Sequence, residues 1–211
     1  VQRAMKAYDG NAADWSLNAA VASEFAVIRV RYLRRRFSVI LVALLGQICP
    51  LTTLQTAVQF LIQKGAKDAE PIPDLVEELG SPLVAARTSD ETRALYETVV
   101  RLKNSKGKKT EREVELMTLF LGMIARNFAP SDEHFGGIVA QLSELAVKPS
   151  LEVQLAVSSC FANMTGLPDA MGLAESLFDT LGTQPDASSR RGVCYAIAGI
   201  VKARGLPSMY E

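Results

Sequence analysis

Histidine and cysteine are the residue types that most often act as nucleophiles, general bases or metal ligands, and the chain has one histidine and three cysteines. His134 lies beside Asp132 and Glu133, with no second histidine and no cysteine pair at the spacing a metal site needs. A Cys-His nucleophile would need a cysteine beside His134, but Cys160 and Cys194 lie in apolar stretches. We therefore expect both thiols to be buried and inert, and His134 to be a hydrogen-bonded or exposed surface side chain.

The three cysteines, Cys49, Cys160 and Cys194, are odd in number and far apart, which indicates reduced thiols in a cytoplasmic protein rather than a secreted disulfide framework. The glycine-rich phosphate loops and the nucleophile elbow of hydrolases are absent from the sequence. The sequence therefore predicts a protein that is not an enzyme and has no cofactor, metal or small-molecule substrate.

Two groups of cations are the remaining residues with binding chemistry. Lys plus Arg equals Asp plus Glu, 23 each, so any binding of an anion must be local. Arg190 and Arg191 lie in the first turn of a predicted helix, where the helix dipole disfavours positive charge. They either pair with Asp179 or Asp186, or cover a neighbouring hairpin with their stems, or contact an anionic partner.

The second group is a basic loop predicted over residues 103–109, KNSKGKK, around Gly107. It is interpreted either as a mobile surface loop or as a binding contact. Its four candidate partner-binding residues are Lys103, Lys106, Lys108 and Lys109.

Helices must position these residues, because no strand-like alternation competes with helical spacing anywhere in the chain. One apolar template recurs at i, i+3, i+4, i+7 and i+8, starting at Leu116, Val153 and Val193. The starts are 37 and 40 residues apart, and another amphipathic helix lies between each pair. This period is that of HEAT-type repeats and predicts an all-α, HEAT/armadillo-like α-solenoid of about five helical hairpins, with a generic helical bundle as the alternative.

The predicted helices cover residues 12–30, 90–102, 111–127, 132–146, 151–164, 169–181 and 188–205, and another is capped by Thr52 or Thr53 and closed by Gly65. We expect Ser89 or Asp90, and Ser188 or Ser189, to cap two of them. Gly192, Ala196 and Gly199 are predicted to let the last helix pack closely on the helix that starts at Leu151.

The first 50 residues are the least regular part of the pattern. Five arginines fall within residues 29–36, interpreted as a solvated helix start or as a contact to phosphate or an acidic surface. The apolar run that follows, residues 37–49, is shorter than the ~20 residues that span a bilayer, which favours a buried helix over a targeting segment. A membrane-targeted protein is the alternative that rests on this stretch alone.

Three stretches resemble one family in order and spacing. SSRRGVCYAIAGIVKARGLP (188–207) resembles Arg-Arg/Lys-Gly-Ala-Ala-Tyr-Gly-Leu-Ala-Gly-Leu-Val-Lys-Gly, KPSLEVQLAVSSC (148–160) resembles a Thr-Pro-Ser-x-x-Val-Gln helix, and LFLGMIARNFAPSD (119–132) resembles a Leu-x-Gly-x-Leu-Ala helix. These motifs are those of the large HEAT-repeat scaffolds that activate the general-control kinase of eukaryotic initiation factor two alpha. The chain departs from the pattern at Val193, Ile197 and Ala203, where larger groups could alter stacking.

The resemblance implies a cytoplasmic, non-catalytic scaffold that associates with ribosomes and serves the amino-acid starvation response. It covers residues 111–207 and extends weakly to residues 60–68, and it implies a fragment that precedes the region similar to fungal elongation factor three. We divide the chain into residues 1–50, a divergent repeat or a segment foreign to the family, and 51–211, the HEAT-repeat segment. The alternative function is a HEAT-repeat adaptor that binds proteins without ribosomes.

Overall fold

The computed structural model describes residues 50–66, 80, 81, 83–85, 87–164 and 166–204. These residues form seven helices and no strand: α1 Leu51–Gly65, α2 Ser89–Asn104, α3 Glu111–Ala125, α4 Glu133–Ala146, α5 Leu151–Ala162, α6 Ala170–Thr183 and α7 Ala187–Arg204. The all-α prediction is confirmed. The arginine-rich and apolar stretches of residues 1–49 lie outside the described residues, so the proposed repeat at that end stays a prediction.

Helix starts follow the residues whose side chains can accept a backbone N–H. Thr88 caps α2 through a capping box in which its Oγ1 accepts from the Glu91 N–H at 3.3 Å and Glu91 accepts from the Thr88 N–H at 3.2 Å. Thr110 and Glu113 form the same box at the start of α3. The expected cap of α2 at Ser89 or Asp90 was therefore wrong by one or two residues.

Two other expected caps also lie inside their helices. α1 begins at Leu51 directly after Pro50, so Thr52 and Thr53 are helical rather than capping residues, while the predicted end at Gly65 is confirmed. Ser188 and Ser189 lie within α7, and Asp186 accepts the Ser189 N–H at 2.7 Å. The negative charge of the Asp186 carboxylate is also stabilised by the positive end of the helix dipole, an interaction that a serine hydroxyl lacks.

The repeat register is confirmed in the packing. α5 contacts α3 on one side and α7 on the other, α1 packs on α2 and α3, and α6 packs on α7. Fourteen of the fifteen template residues are buried, with Val201 partly buried. Three helical pairs, α2 with α3, α4 with α5 and α6 with α7, therefore stack as a solenoid over one apolar core.

Close contacts between successive helices depend on glycine. A Cβ added at Gly192 would lie 2.0 Å from the Ala146 carbonyl oxygen, and one at Gly199 would lie 2.4 Å from the Ser158 carbonyl oxygen. The predicted close contact of the last helix with α5 is confirmed, and it reaches the end of α4 as well. Gly122 of α3 makes the equivalent approach to Cys160, where an added Cβ would lie 2.3 Å from Sγ.

Candidate anion-contact edge of the helical stack

α3, α5 and α7 run in the same direction, since Gly122 near the end of α3 approaches Cys160 near the end of α5, and Gly192 and Gly199 of α7 approach Gln154 and Ser158 in the same order along α5. Their first turns, with the connections 105–110, 147–150 and 184–186 that precede them, therefore lie along one side of the stack. We call this side the N-terminal edge. All six cationic residues that the sequence predicted as partner-binding lie on this edge or directly beside it.

Arg191 is held by a buried amide rather than by a carboxylate. Gln154 is fully buried in α5, and its Oε1 accepts from Arg191 Nε at 3.0 Å. The Gln154 amide group donates to the carbonyls of Lys148 at 2.6 Å and Ser188 at 2.9 Å. Gln154 thus joins the α4–α5 connection to the first turn of α7, and Arg191 satisfies its remaining acceptor.

Arg190 has a different partner that explains why a cation is tolerated at a helix start. Its Nη1 donates to the carbonyls of Gln184 at 3.0 Å and Pro185 at 2.9 Å, just after the end of α6. The C-terminal end of a helix attracts positive charge, so the field of α6 favours Arg190 where that of α7 opposes it. Within the described residues neither arginine forms an ion pair with Asp179 or Asp186. Both side chains remain exposed.

The basic loop is shorter than expected, because α2 continues to Asn104 and takes up Lys103. Lys103 Nζ donates to Gln141 Oε1 at 2.9 Å, and Lys109 Nζ donates to the Ser105 hydroxyl. Gly107 has φ +121°, a conformation that side chains disfavour, and this fixes the turn.

Lys106 and Lys108, on either side of Gly107, are exposed and have no hydrogen-bond or ion-pair partner in the described part of the chain. They are therefore the cations of the basic loop most available to a partner.

Lys103 and Lys109 also line a cleft of about 340 Å³ between α3 and the α4–α5 connection, together with Lys148. The sequence-based prediction missed Lys148. It precedes Pro149 and Ser150 at the start of α5, a position equivalent to the basic residues that precede Thr110 and α3. Comparing equivalent positions of successive repeats could therefore have predicted Lys148 from the sequence.

Two acidic groups of this edge, Asp186 and Glu115, are engaged within the protein. Hydrogen bonds from the backbone and side chain of Ser189 lower the pKa of Asp186 and keep it ionised. Burial raises the pKa of Glu115, partly offset by Arg112 at 3.0 Å. Asp186 neutralises a helix terminus and Glu115 pairs with an arginine, while Glu111 in the first turn of α3 is the carboxylate that lies beside Lys103 and Lys109.

His134 is hydrogen-bonded, as predicted. Its Nδ1 lies 2.8 Å from Asp132 Oδ1, and its ring stacks on Phe128 and meets the edge of Tyr96. Hydrogen bonds from the His134 backbone and ring lower the pKa of Asp132. In the part of the chain that the structure describes, no group of three His, Cys, Asp or Glu residues could hold a metal ion.

One cysteine prediction was wrong. Cys160 is buried, with Sγ 3.3 Å from the Thr118 carbonyl oxygen, but Cys194 is exposed. Cys194 directly follows the template residue Val193, and one position along a helix turns a side chain by ~100°, away from the apolar face.

None of the described helices is both long and apolar enough to cross a membrane.

Comparison with known proteins identifies curated relatives in three kinds of organism. No family model and no solved structure matches the chain. It is 28% identical over 167 residues, 75% of its length, to "eIF-2-alpha kinase activator GCN1" of Saccharomyces cerevisiae, and 30% identical over 97 residues, 45% of its length, to "Stalled ribosome sensor GCN1" of Homo sapiens. "Protein ILITYHIA" of Arabidopsis thaliana is 27% identical over 117 residues, 54% of the chain.

The chain spans only 6% of the length of the yeast relative and 4% of the human and plant relatives. The similarity nevertheless includes relatives from a fungus, a mammal and a plant. The resemblance to the kinase-activator family is therefore confirmed, and the chain is similar to a short part of the proteins named GCN1.

Proposed function

We propose that the chain is a non-catalytic HEAT-repeat segment of a cytoplasmic, ribosome-associated activator of the kinase of initiation factor two alpha in the amino-acid starvation response. The observation that carries the proposal is the similarity over 167 residues to a protein named as an activator of that kinase, with a stalled-ribosome sensor among its other relatives. The helical pairs supply extended surface rather than an enclosed catalytic site, which fits a scaffold.

Residues 51–211 are proposed to form the family's HEAT-repeat segment, and residues 1–50 a divergent helical repeat or a segment foreign to the family. The region similar to elongation factor three is proposed to follow this segment in the full-length activator. Kinase contact is not assigned to any residue of this chain.

Ribosome contact is proposed to use the N-terminal edge. Lys106 and Lys108 are free to meet phosphates, and the arginines have guanidinium N–H groups beyond those that bind Gln154 and the α6 carbonyls. Phosphate contacts of this kind depend strongly on salt, because each releases condensed counterions.

Co-sedimentation of the 211-residue chain with ribosomes at rising salt tests this contact. Lys106→Glu combined with Lys108→Glu should weaken binding and lower the salt slope by roughly one per lost phosphate contact. The matched control reverses two exposed cations near the C-terminal ends of α3 and α7, Arg126→Glu with Lys202→Glu, and should leave binding unchanged.

Arg190→Glu with Arg191→Glu provides a second test, but it also removes intramolecular hydrogen bonds, so its melting temperature must be measured alongside. Binding indifferent to both cationic pairs, or equally sensitive to the control pair, contradicts contact through this edge.

An adaptor that binds a protein partner without ribosomes is the second candidate, and the cleft beside Lys148 favours it because its floor is apolar. A stable protein partner recovered with the chain after ribonuclease treatment, in the absence of ribosome co-sedimentation, would support this function over the first.

A further inference from the structure

The cleft between α3 and the α4–α5 connection has an apolar floor with no free polar group. Its volume is about 340 Å³, and its apolar lining is Val114, Met117, Leu121, Leu145, Pro149 and Val153. Thr118 and Ser150 also line it, but the Thr118 hydroxyl donates to the Val114 carbonyl at 2.7 Å and the Ser150 hydroxyl donates to Glu152 Oε2 at 3.2 Å. A ligand can therefore gain affinity from the floor only by burying apolar surface.

The rim of the cleft carries more positive than negative charge. Lys103, Lys109 and Lys148 line it, against a single carboxylate, Glu111. Lys103 and Lys109 bind the neutral groups of Gln141 and Ser105, so their charges are not cancelled. Lys148 is exposed, and its ammonium has no partner among the described residues.

The volume sets the size of what can enter. An apolar cavity of ~150 Å³ in another protein accepts benzene, so a cleft about twice as large accepts one aromatic side chain or two aliphatic ones. The three lysines come from α2, from the loop after it and from the α4–α5 connection, so they surround the mouth instead of converging on one point. This arrangement suits several carboxylates spread along a chain better than one small anion.

We propose that this cleft binds a short acidic segment of a partner protein, which inserts one bulky apolar side chain between α3 and α5 and places its carboxylates beside the lysines. The apolar anchor supplies affinity, and the charges supply orientation and rate of association. The proposal rests on the protein-binding function proposed above and shares Lys103 and Lys109 with the proposed ribosome contact. Lys106 and Lys108 do not line the cleft, so variants at those two residues separate the two proposals.

Fluorescence anisotropy with the whole chain and a panel of labelled eight-residue peptides tests the proposal. Each peptide carries acidic residues on both sides of one central residue, which is alanine, leucine, phenylalanine or tryptophan. Affinity should rise with the size of the central residue, by about tenfold or more from alanine to phenylalanine, because the anchor leaves water. Peptides with lysines in place of the acids should not bind.

Two variants locate the site. Val114→Phe should fill the cleft, since Val114 is only partly buried at its lining, and should remove the preference for a large central residue while keeping the melting temperature. Lys148→Glu, a surface change that avoids any folding defect, should weaken binding about tenfold and reduce its salt dependence. Lys202→Glu is the charge-matched control and should bind like the parent chain.

Several outcomes overturn the assignment. Equal affinity for all central residues would overturn it, and so would peptide binding that survives both Val114→Phe and Lys148→Glu. Binding of decanoate or an oligoribonucleotide in the cleft, without peptide binding, would overturn it as well. Concentration-dependent dimerisation that Val114→Phe abolishes would instead assign the cleft to a second copy of this chain. Loss of ribosome co-sedimentation in the Lys106 and Lys108 double variant, with peptide binding intact, would leave this proposal standing.

Discussion

The two interfaces of α5 are built on the same apolar template but differ in what limits the approach of the neighbouring helix. Toward α3, the closest group is the side chain of Cys160, which faces Gly122. Toward α7, the closest groups are two backbone carbonyls: that of Ser158 in α5, which faces Gly199, and that of Ala146 at the end of α4, which faces Gly192. A side chain can be exchanged for a smaller one, whereas a carbonyl cannot, so the α7 side should tolerate change less well.

The largest effect is expected at Gly192. Gly192→Ala would place a methyl group 2.0 Å from the Ala146 carbonyl oxygen, and relief requires α7 to move away from the end of α4. We expect the free energy of unfolding to fall by on the order of 3 kcal/mol or more, measured by denaturant unfolding. Gly136→Ala is the control: no atom lies within 4 Å of its added Cβ, and alanine should stabilise α4 by about 0.5–1 kcal/mol. Similar losses in both variants would contradict a backbone clash.

Gln154→Leu should follow in magnitude. Leucine fills a similar volume inside the interface, but it leaves the Lys148 and Ser188 carbonyls without a hydrogen-bond donor. We expect the free energy of unfolding to fall by about 2–3 kcal/mol. Gln141→Leu is a matched change in α4, where the amide is only partly buried and water can replace its partners, and it should cost less than about 0.5 kcal/mol. Equal effects would show that the buried network adds no stability.

Gly122→Ala should be milder and reversible by a second change. The added methyl group meets Cys160 Sγ and Cβ, and we expect a loss of about 1–2 kcal/mol. Combining it with Cys160→Gly transfers the bulk from one helix to the other and should recover at least half of that loss. Strict additivity of the two single changes in unfolding free energy would contradict the contrast between the two interfaces.

The smallest effect is the pH dependence of the cap on α7. The pKa of Asp186 is lowered by hydrogen bonds from Ser189, so its carboxylate stabilises the fold above the pKa of an unfolded aspartate. This contribution is lost as the pH falls through the lowered pKa of the folded state. Melting temperatures of Asp186→Asn should therefore decline less on acidification than those of the parent chain. Asp179→Asn is the control, and an acid decline identical in all three proteins would contradict the cap.

The repeat register could be predicted from the sequence because helix packing requires apolar residues at regular spacing, and this spacing is visible in the sequence itself. Val153, Val157 and Phe161 show it, and all are buried. The prediction that Cys194 is buried was wrong because a residue among apolar neighbours in the sequence need not lie on the apolar face of its helix. Helix starts were misplaced by one to three residues wherever several hydroxyl or acidic residues compete, as at Thr88 and Asp186, since the cap depends on backbone conformation rather than on residue type alone.

The partners of the candidate binding residues could not be predicted in the same way. Gln154 is a polar residue inside an apolar run, and its role depends on groups from α7 and the α4–α5 connection. Arg190 reaches carbonyls that follow α6, and Lys148 joins Lys103 and Lys109 only through the stacking of hairpins. Contacts between repeats are set by three-dimensional stacking, and a single sequence does not record them.

The central position of α5 also affects how its backbone amides exchange hydrogen with water. Its backbone amides can exchange hydrogen with water only when the contacts with both α3 and α7 open, whereas α6 packs mainly on α7 and presents exposed Met171 and Phe178. We expect α5 amides to exchange through unfolding of the whole stack and α6 amides through local opening, with denaturant-dependent hydrogen exchange to separate the two. A ligand held between α3 and α5 would then slow the exchange of the entire stack, and one held on α6 would slow only its own helix.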